Sequence, residues 1–294
     1  MSEEPPVSPN LAILVSIIAV STASILIRIS DAPPLAIATY RMFFSTLILA
    51  PFFLSEGGFN VISGMGRRDV LTLLGVGITL ALHFASWITS LSYTSVASSV
   101  IFVHVDPFFV ALISHYWLGE RISLKTALGI VLGFAGSALI AWGDAGLGEL
   151  NLYGDLLALI GAIMLGIYIL SGRQIRQRLG LVEYVTPVYA TSAIVLLLIT
   201  IASRTRITGY PPGEFIIFLL IAIVPMIFGH TVYNWALRYV SAPIVSISLL
   251  GEPVGASILA YMILGEAPTP ITLLGGTVTL AGILLTVYKR SKRD

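Results

Sequence analysis

The side chains most able to do chemistry in this sequence are ionisable groups that stand inside long apolar stretches. On insertion scales such a group costs roughly 2.5 to 3.5 kcal/mol at bilayer depth, so it usually faces a cavity or a charged partner. Two further acids, Glu120 and Glu266, stand at the ends of apolar stretches. The groups inside the stretches, which include all four histidines, are Arg41, His83, His104, Asp106, His115, His230 and Glu252.

Two of the acids, Asp106 and Glu252, each directly precede a proline about eleven residues into a predicted helix. Pro107 and Pro253 lack the backbone N–H and tend to kink a helix, so both are candidate hinges. A kink frees a backbone carbonyl beside each carboxyl group, and the polar spot so formed is a candidate site for a proton or a substrate amine. The alternative is a structural carboxyl group that Arg41 neutralises or that bonds to a neighbouring helix.

Two groups of rings are spaced so that each shares a helix face. His83 and Trp87 are four residues apart, and His230 with Tyr233 and Asn234 repeats the arrangement on a later helix. A cavity walled by these side chains would bind a flat or apolar part of a substrate by stacking and a few hydrogen bonds. The alternative for aromatic residues in membrane helices is packing or an interfacial belt.

Arg41 is seven residues into its predicted helix, too deep for a loop residue. It is a candidate to bind a substrate carboxylate through two parallel hydrogen bonds. Pairing with a buried acid, gating, and extension along its helix to the interface are the alternatives.

Ser248 stands four residues before Glu252 on the same predicted face, so the two are candidate coupling residues. His104 and Asp106, two residues apart, point to different sides of a helix, and we do not expect them to touch.

The composition indicates a membrane protein, with a lipid bilayer and a small molecule as its expected partners. Charged residues make up 11% of the 294 residues and apolar residues 56%, whereas soluble domains carry about 25% charged residues. The mean hydropathy is +0.95, and the net charge of +1 gives no indication of a nucleic-acid partner. No cysteine is present for a disulfide or a thiolate metal site. Apolar blocks long enough to cross a ~30 Å hydrocarbon core predict ten helices, near residues 11–29, 34–54, 70–92, 95–118, 122–142, 153–171, 183–202, 214–237, 242–264 and 270–288.

Lysine and arginine are distributed unevenly between alternate loops, and this asymmetry predicts the orientation. With the N-terminus inside, the inner segments hold twelve basic residues and the outer segments hold three, Arg28, Arg204 and Arg206. The loop of residues 143–152 holds two acids and no base, which suits an outer link between two halves. Ten spans place both termini in the cytoplasm, in a multi-pass protein of the cell membrane.

An internal repeat relates the two halves of the chain at an offset of 146 residues. Residues 106–120 read DPFFVALISHYWLGE and residues 252–266 read EPVGASILAYMILGE, which share an acid, a proline and LGE at equal spacing. The same offset pairs Trp87 with Tyr233. Each half has five predicted spans, and an odd number inverts the second copy in the membrane. We therefore expect an all-α integral membrane fold with ten transmembrane helices in two inverted five-helix repeats.

The predicted domain organisation follows from the spans and the repeat. Residues 1–10 lack the basic region of a signal peptide, so we expect a retained cytoplasmic tail. The two five-helix repeats are expected over residues 11–143 and 151–288, and a basic cytoplasmic tail over residues 289–294.

Several short motifs occur in a fixed order: the Arg41 helix after Pro33 and Pro34, LSYTSVAS at 91–98, DPFFVAL with LGE at 106–120, the glycine-spaced fifth helix, ALRYVSA at 236–242, EPVGASIL at 252–259 and LGE at 264–266. In their order and spacing the chain resembles the EamA type of the drug/metabolite transporter superfamily, along essentially its whole length. The resemblance implies ten helices in two inverted repeats and movement of small metabolites, often export of amino acids, without a cofactor and without ATP hydrolysis. Asp106 departs from the family pattern, in which an uncharged residue is common, so its coupling role is not implied by the resemblance.

We expect a secondary transporter of amino acids or related zwitterionic or apolar compounds, whose central site opens alternately to each side. Proton coupling is a further expectation, from the two buried carboxyl groups. The alternatives within the superfamily are a multidrug exporter and a nucleotide-sugar or sugar-phosphate carrier, although multiply charged cargo needs a cluster of deep basic residues and Arg41 stands nearly alone. A passive channel is another class, and an enzyme is disfavoured because HExxH, GxSxG and phosphate-loop motifs are absent from the sequence. A monomer and a homodimer are both compatible with the sequence.

Overall fold

The computed structural model describes residues 5–93, 99, 102–144, 152–264 and 267–287, and these residues form helices and their connections. The expectations on Glu266, on the loop centre at 145–151, on the motif at 94–98 and on the tail at 289–294 lie outside the described residues.

The first half of the described chain holds a short helix between longer ones, and the second half holds two helices with π-helical stretches. The helices of the first half are α1 Pro9–Arg28, α2 Pro34–Ser55, α3 Gly58–Gly64, α4 Arg67–Ser90, α5 Asp106–Trp117 and α6 Leu124–Asp144. Those of the second half are α7 Leu152–Ile175, α8 Leu181–Ala202, α9 Pro212–Ile221, a π-helical segment Ala222–Thr231, α10 Val232–Ala236, α11 Ala242–Leu249, α12 Gly251–Leu259 with a π-helical turn Ala260–Leu264, and α13 Pro270–Val287.

Seven helices in the described part of the chain are long and apolar enough to cross a membrane, and two shorter ones, Leu124–Ile140 and Pro270–Thr286, are apolar as well. These nine match nine of the ten predicted spans, and α5 covers the second part of the remaining one. Interior-facing and outward-facing positions are both apolar: on α4, Leu80 and Phe84 are buried while Leu71 and Leu82 are exposed. A helix that is apolar all round suits a lipid environment. The prediction of an all-α, multi-pass membrane protein is confirmed.

Helix α3 is an element that hydropathy did not predict. It follows Gly57, whose positive φ of 70° turns the chain sharply after α2. The seven residues of α3 are too few to span a bilayer, so the segment belongs to the connection between two spans.

The two acid–proline sites mark breaks between helices. Asp106 is the first residue of α5, after a turn at residues 104–105, and Glu252 is the second residue of α12, after a turn at Leu250. The prediction that both acids stand in the interior of kinked but continuous helices is therefore wrong. The reason is that proline suits the first turn of a helix, where its missing N–H would be unpaired in any case.

Helices α6 and α13 cross at glycines, which lets their backbones touch. A Cβ atom at Gly129 would lie 2.7 Å from the carbonyl oxygen of Gly282, and one at Gly136 would lie 2.6 Å from that of Gly275. The residue numbers rise along α6 as they fall along α13, so the helices run antiparallel. The offset of 146 residues maps each of these two contacts onto the other, which is the arrangement that an inverted repeat requires.

We predict that Gly136→Ala lowers the free energy of unfolding by about 1–3 kcal/mol, because the new methyl group would lie 2.4 Å from the backbone nitrogen of Thr279. The measurement is denaturant unfolding in detergent micelles. Gly75→Ala is the matched control, because a Cβ atom there meets nothing within 4 Å, and a gain of about 0.5–1 kcal/mol is expected. Equal effects of the two substitutions would contradict the close crossing.

Candidate functional site

A cavity lies between the helices of the two halves. Its volume of about 30 Å³ leaves room for about two water molecules. Five of the seven ionisable groups that stand inside apolar stretches meet around it, whereas Asp106 and His115 do not. The lining residues are Val20, Ala23, Arg41, His83, Trp87, Val103, His104, Leu165, His230, Tyr233, Leu249 and Glu252.

The guanidinium group of Arg41 is buried at the centre of the bundle. The side chain is 1% exposed, and its Cζ atom lies 4.2 Å from the ring centroid of Phe84, which is a cation–π contact. Its Nε and Nη1 atoms are buried without a hydrogen-bond partner in the described part of the protein. The alternative that Arg41 extends to the membrane interface is wrong. Two buried donors without partners carry a desolvation penalty that an acceptor from a substrate would remove.

The rings of His83 and Trp87 stack on one wall of the cavity. Their planes differ by 10° and their centroids are 5.9 Å apart. The Nδ1 atom of His83 donates to the carbonyl oxygen of Gly161 at 2.9 Å, which orients the imidazole. The indole Nε1 of Trp87 is buried and has no partner among the described residues, so this wall offers another free donor.

His230 and Tyr233 form the facing wall, at the end of the π-helical segment and the start of α10. The hydroxyl of Tyr233 lies 2.6 Å from Nδ1 of His230. Asn234 lies behind this wall and outside the cavity lining, where its Nδ2 donates to the hydroxyl of Tyr168 at 2.8 Å and to the carbonyl oxygen of His230 at 2.6 Å. The structure therefore places Asn234 as a support of the wall.

Glu252 reaches the cavity and meets His104 from the other half of the chain. The Nε2 atom of His104 lies 3.8 Å from Oε2 of Glu252, and Arg41 interacts with the same carboxyl group electrostatically. His104 is not predicted as a site residue from the sequence, because its spacing gives it no partner on its own helix. The repeat offset does hold a signal: it pairs His104 with Leu250, two residues from Glu252, so the two broken helices meet at equivalent points.

Asp106 is fully buried away from the cavity. Its Oδ2 atom accepts a hydrogen bond from the hydroxyl of Ser246 on α11, while Oδ1 has no partner in the described part of the chain. This is the alternative in which the carboxyl group bonds to a neighbouring helix. Ser248 donates to the carbonyl oxygen of Ile244 on its own helix at 2.7 Å, and among the described residues it makes no hydrogen bond to Glu252. The turn at Leu250 lies between Ser248 and Glu252, so the continuous helical face predicted for them does not exist.

The polar network behind the wall continues to the loop after α7. Arg176 is 2% exposed, and its Nε donates to the backbone carbonyl of Asn234 at 3.2 Å. Burial lowers the pKa of Arg176 to about 10, so the guanidinium remains charged at neutral pH. The proposed hinges, Pro107 and Pro253, begin helices beside the cavity, and their hinge role stays a prediction.

Comparison with known families identifies the chain. The model of the EamA-like transporter family matches residues 8–142 and again residues 152–288. The chain belongs to the EamA-like transporter family. As a family member with two matched regions, it holds two EamA-like units in tandem.

Two curated relatives match this EamA-like protein over nearly its whole length, and a third matches over about two thirds of it. An uncharacterized transporter of Archaeoglobus fulgidus is 26% identical over 284 residues, which are 93% of this chain and 94% of that one. The uncharacterized transporter YxxF of Bacillus subtilis is 23% identical over 99% of this chain and 94% of its own. A probable terminal-alkyne amino-acid exporter of Streptantibioticus cattleyicolor is 24% identical over 63% of this chain and 62% of its own. These relatives are named as transporters.

A solved structure shares the fold. A protein crystal structure superposes with a TM-score of 0.81 over 95% of this chain and 97% of its own, at 16% identity. At this identity the likeness concerns the fold alone.

We predict that Asn234→Leu lowers the free energy of unfolding by about 1–3 kcal/mol, because it leaves the hydroxyl of Tyr168 and the carbonyl of His230 without their donor. Denaturant unfolding in micelles measures the change. Asn60→Leu on the exposed α3 is the control, with an expected effect within about 0.5 kcal/mol. An equal loss of unfolding free energy in both variants would contradict the supporting role of Asn234.

Proposed function

We propose that this chain is a secondary carrier that moves small zwitterionic metabolites, amino acids above all, by alternating access at the central cavity. The observation that carries the proposal is that one cavity contains both the donors of Arg41 that have no hydrogen-bond partner and the carboxyl group of Glu252. A carboxylate of the substrate would accept from Arg41, and its ammonium group would bind near Glu252. The relative named as a probable amino-acid exporter supports the same class of cargo.

The chemistry of the cavity walls favours this cargo over phosphorylated compounds. Arg41 is the one arginine or lysine among the lining residues, whereas a cargo with two or more negative charges needs several cationic groups. The stacked His83 and Trp87 face a wall that contains Tyr233, and rings of this kind suit an apolar or flat side chain. An apolar wall with two opposite charges fits an amino acid.

The cavity is smaller than the proposed substrate. Room for about two waters is too little for an amino acid, so substrate binding requires the lining residues to move apart. The antiparallel, repeat-related crossing of α6 and α13 supports an inverted repeat, in which one half rocks against the other around a fixed site. Breaks at Pro107 and Pro253 beside the cavity are suitable hinges for that motion.

Orientation and direction complete the proposal. The basic loops after α5, α7 and α10 lie at one face, and the positive-inside rule assigns this basic face and both termini to the cytoplasm of a cell. The proposed direction of transport is export, in which an amino acid enters from the cytoplasmic basic face and leaves through the opposite face.

The first test is exchange of radiolabelled amino acids by the purified protein in sealed liposomes. Saturable counterflow is expected for a carrier, and a non-saturable flux would indicate a channel. No exchange of any amino acid in liposomes shown to be sealed would overturn the proposed cargo.

We predict that Arg41→Gln raises the KM for the transported amino acid by about tenfold or more, because a charge-assisted hydrogen bond to a carboxylate contributes about 1.5–3 kcal/mol. The KM of counterflow measures this loss. Arg204→Gln, at an exposed loop position, is the control and should leave the KM unchanged.

A decarboxylated analogue of the substrate makes the same test specific for the carboxylate. It should compete equally poorly against the wild type and Arg41→Gln. If Arg41→Gln weakened this amine as much as the amino acid, then Arg41 would act on the fold rather than on the carboxylate.

We predict that Glu252→Gln abolishes accumulation driven by a pH gradient while counterflow at saturating substrate persists. The reason is that Glu252 is the carboxyl group that faces both the cavity and His104, so a proton and a substrate amine would compete for it. Asp106→Asn is the matched control, because Asp106 lies outside the cavity lining. Proton coupling fails if wild-type accumulation is the same after the gradient is removed.

A further inference from the structure

One ion pair joins the two halves at the basic face. The Nε atom of Arg173, near the end of α7, donates to Oε1 of Glu120 at 2.7 Å, and Glu120 follows α5 of the first half. The Nη1 atom of the same arginine donates to the carbonyl oxygens of Leu237 at 2.9 Å and Arg238 at 3.2 Å, just beyond α10. We call this group the basic-face clasp. It ties the end of α5 to two helix ends of the second half.

The other polar contacts nearby stay within the second half. Gln177 donates to the carbonyl oxygens of Leu237 and Arg238, and Arg176 donates to the backbone of Asn234. These contacts hold the ends of α7 and α10 together, so the two helices can move as a unit when Glu120 separates from them.

A second group of hydrogen bonds joins the halves at the opposite face. Glu214, at the start of α9 and 6% exposed, accepts from the hydroxyl of Ser30 at 2.6 Å and from the backbone N–H of Asp31 at 3.0 Å. Ser30 and Asp31 follow α1 of the first half. Beside them, Tyr40 of α2 stacks on Phe218 of α9 with centroids 4.6 Å apart. We call this group the opposite-face clasp.

The two clasps lie at the two ends of one helical rod. The rod Pro212–Ala236 carries Glu214 near its start and is followed by Leu237, which makes the clasps roughly 30 Å apart along its axis. His230 and Tyr233 of the same rod line the cavity between them. With both clasps formed, the cavity has room for about two waters, which is less than an amino acid needs.

We propose that the two clasps are the gates of the carrier, which break alternately so that the cavity opens to the basic face when Glu120 leaves Arg173 and to the other face when Glu214 leaves Ser30 and Asp31. This inference rests on the alternating-access function proposed above. Hydrogen bonds of 2.6–3.0 Å do not survive the separation of the groups that make them, so each face opens only after its clasp breaks. The side chains of Arg173 and Glu120 are 23% and 17% exposed, so water reaches part of the ion pair.

The natural chain has no cysteine, which permits a test of access that needs no substrate. Ala23→Cys would place one thiol in the cavity lining. The probe is a charged, membrane-impermeant methanethiosulfonate reagent, added from one side at a time to vesicles of known sidedness. The measured quantity is the rate of thiol labelling from each face.

We expect Glu120→Gln, in the Ala23→Cys background, to raise the labelling rate from the basic face by roughly threefold to tenfold and to lower it from the other face. Glu214→Gln should produce the mirror-image change, because the amide retains one acceptor oxygen in place of two. Arg178→Gln, which removes an exposed charge from the same loop as the basic-face clasp, is the control and should leave both rates unchanged.

A double-mutant comparison distinguishes the effect of breaking the ion pair from a general loss of stability. If Arg173 and Glu120 act together, Glu120→Gln adds little to the change produced by Arg173→Gln. Arg173→Lys, which keeps the charge and loses the fork, should give an intermediate rate and also serves if Arg173→Gln does not fold.

Any of three results would contradict the proposal that the clasps are gates. These are unchanged labelling rates in Glu120→Gln and Glu214→Gln, a change of the labelling rates in the same direction in both variants, or an equal change of the rates in Arg178→Gln. The failure of the proposed cargo looks different. If the labelling rates depend on the clasps but no amino acid is exchanged, the gate proposal stands and the proposed cargo is wrong. If amino acids are exchanged but the labelling rates do not depend on the clasps, only the gate proposal is wrong.

Discussion

Burial of a guanidinium group in the middle of an apolar bundle is the constraint on which the rest of this structure depends. A charge in such a place requires polarisable or charged surroundings, because its transfer from water is otherwise prohibitive. The surroundings of Arg41 meet this need in part, through the face of Phe84 and the nearby carboxyl group of Glu252. The breaks in two helices, the π-helical segment and the wall of His230 and Tyr233 all lie around this one group. Pro107, Pro225 and Pro253 stand at these points and account for the departures from regular helices.

Hydropathy predicted the membrane class and the helices well, because lipid imposes the same simple requirement on every span. The centre of the protein was harder to predict. His104 meets Glu252 only because two broken helices approach each other, and no spacing within one helix encodes this contact. Ser248 shows the opposite error, since its predicted alignment assumed a helical phase that the turn at Leu250 interrupts. Helical periodicity predicts which residues share a face only within one continuous helix.

The two acids occupy equivalent positions of the internal repeat but have different surroundings. The glycine crossing of α6 and α13 keeps its equivalence across the offset of 146 residues, as backbone contact tolerates no side chain. Asp106 and Glu252 occupy equivalent positions, yet one bonds to Ser246 within the packed interior and the other reaches the cavity. The same acid–proline break therefore occurs at both positions, while the residues around it differ, so that Asp106 contacts a neighbouring helix and Glu252 lines the cavity.

The π-helical segment Ala222–Thr231 has a consequence for how this sequence tolerates change in length. Its hydrogen bonds close over five residues rather than four, so the segment holds an extra residue relative to a regular helix of the same phase. Loss of one residue within it would return the rod to α-helical geometry without turning the flanking faces far. In any of the regular spans the same deletion would rotate the following half of the helix by about 100° and expose its buried face to lipid.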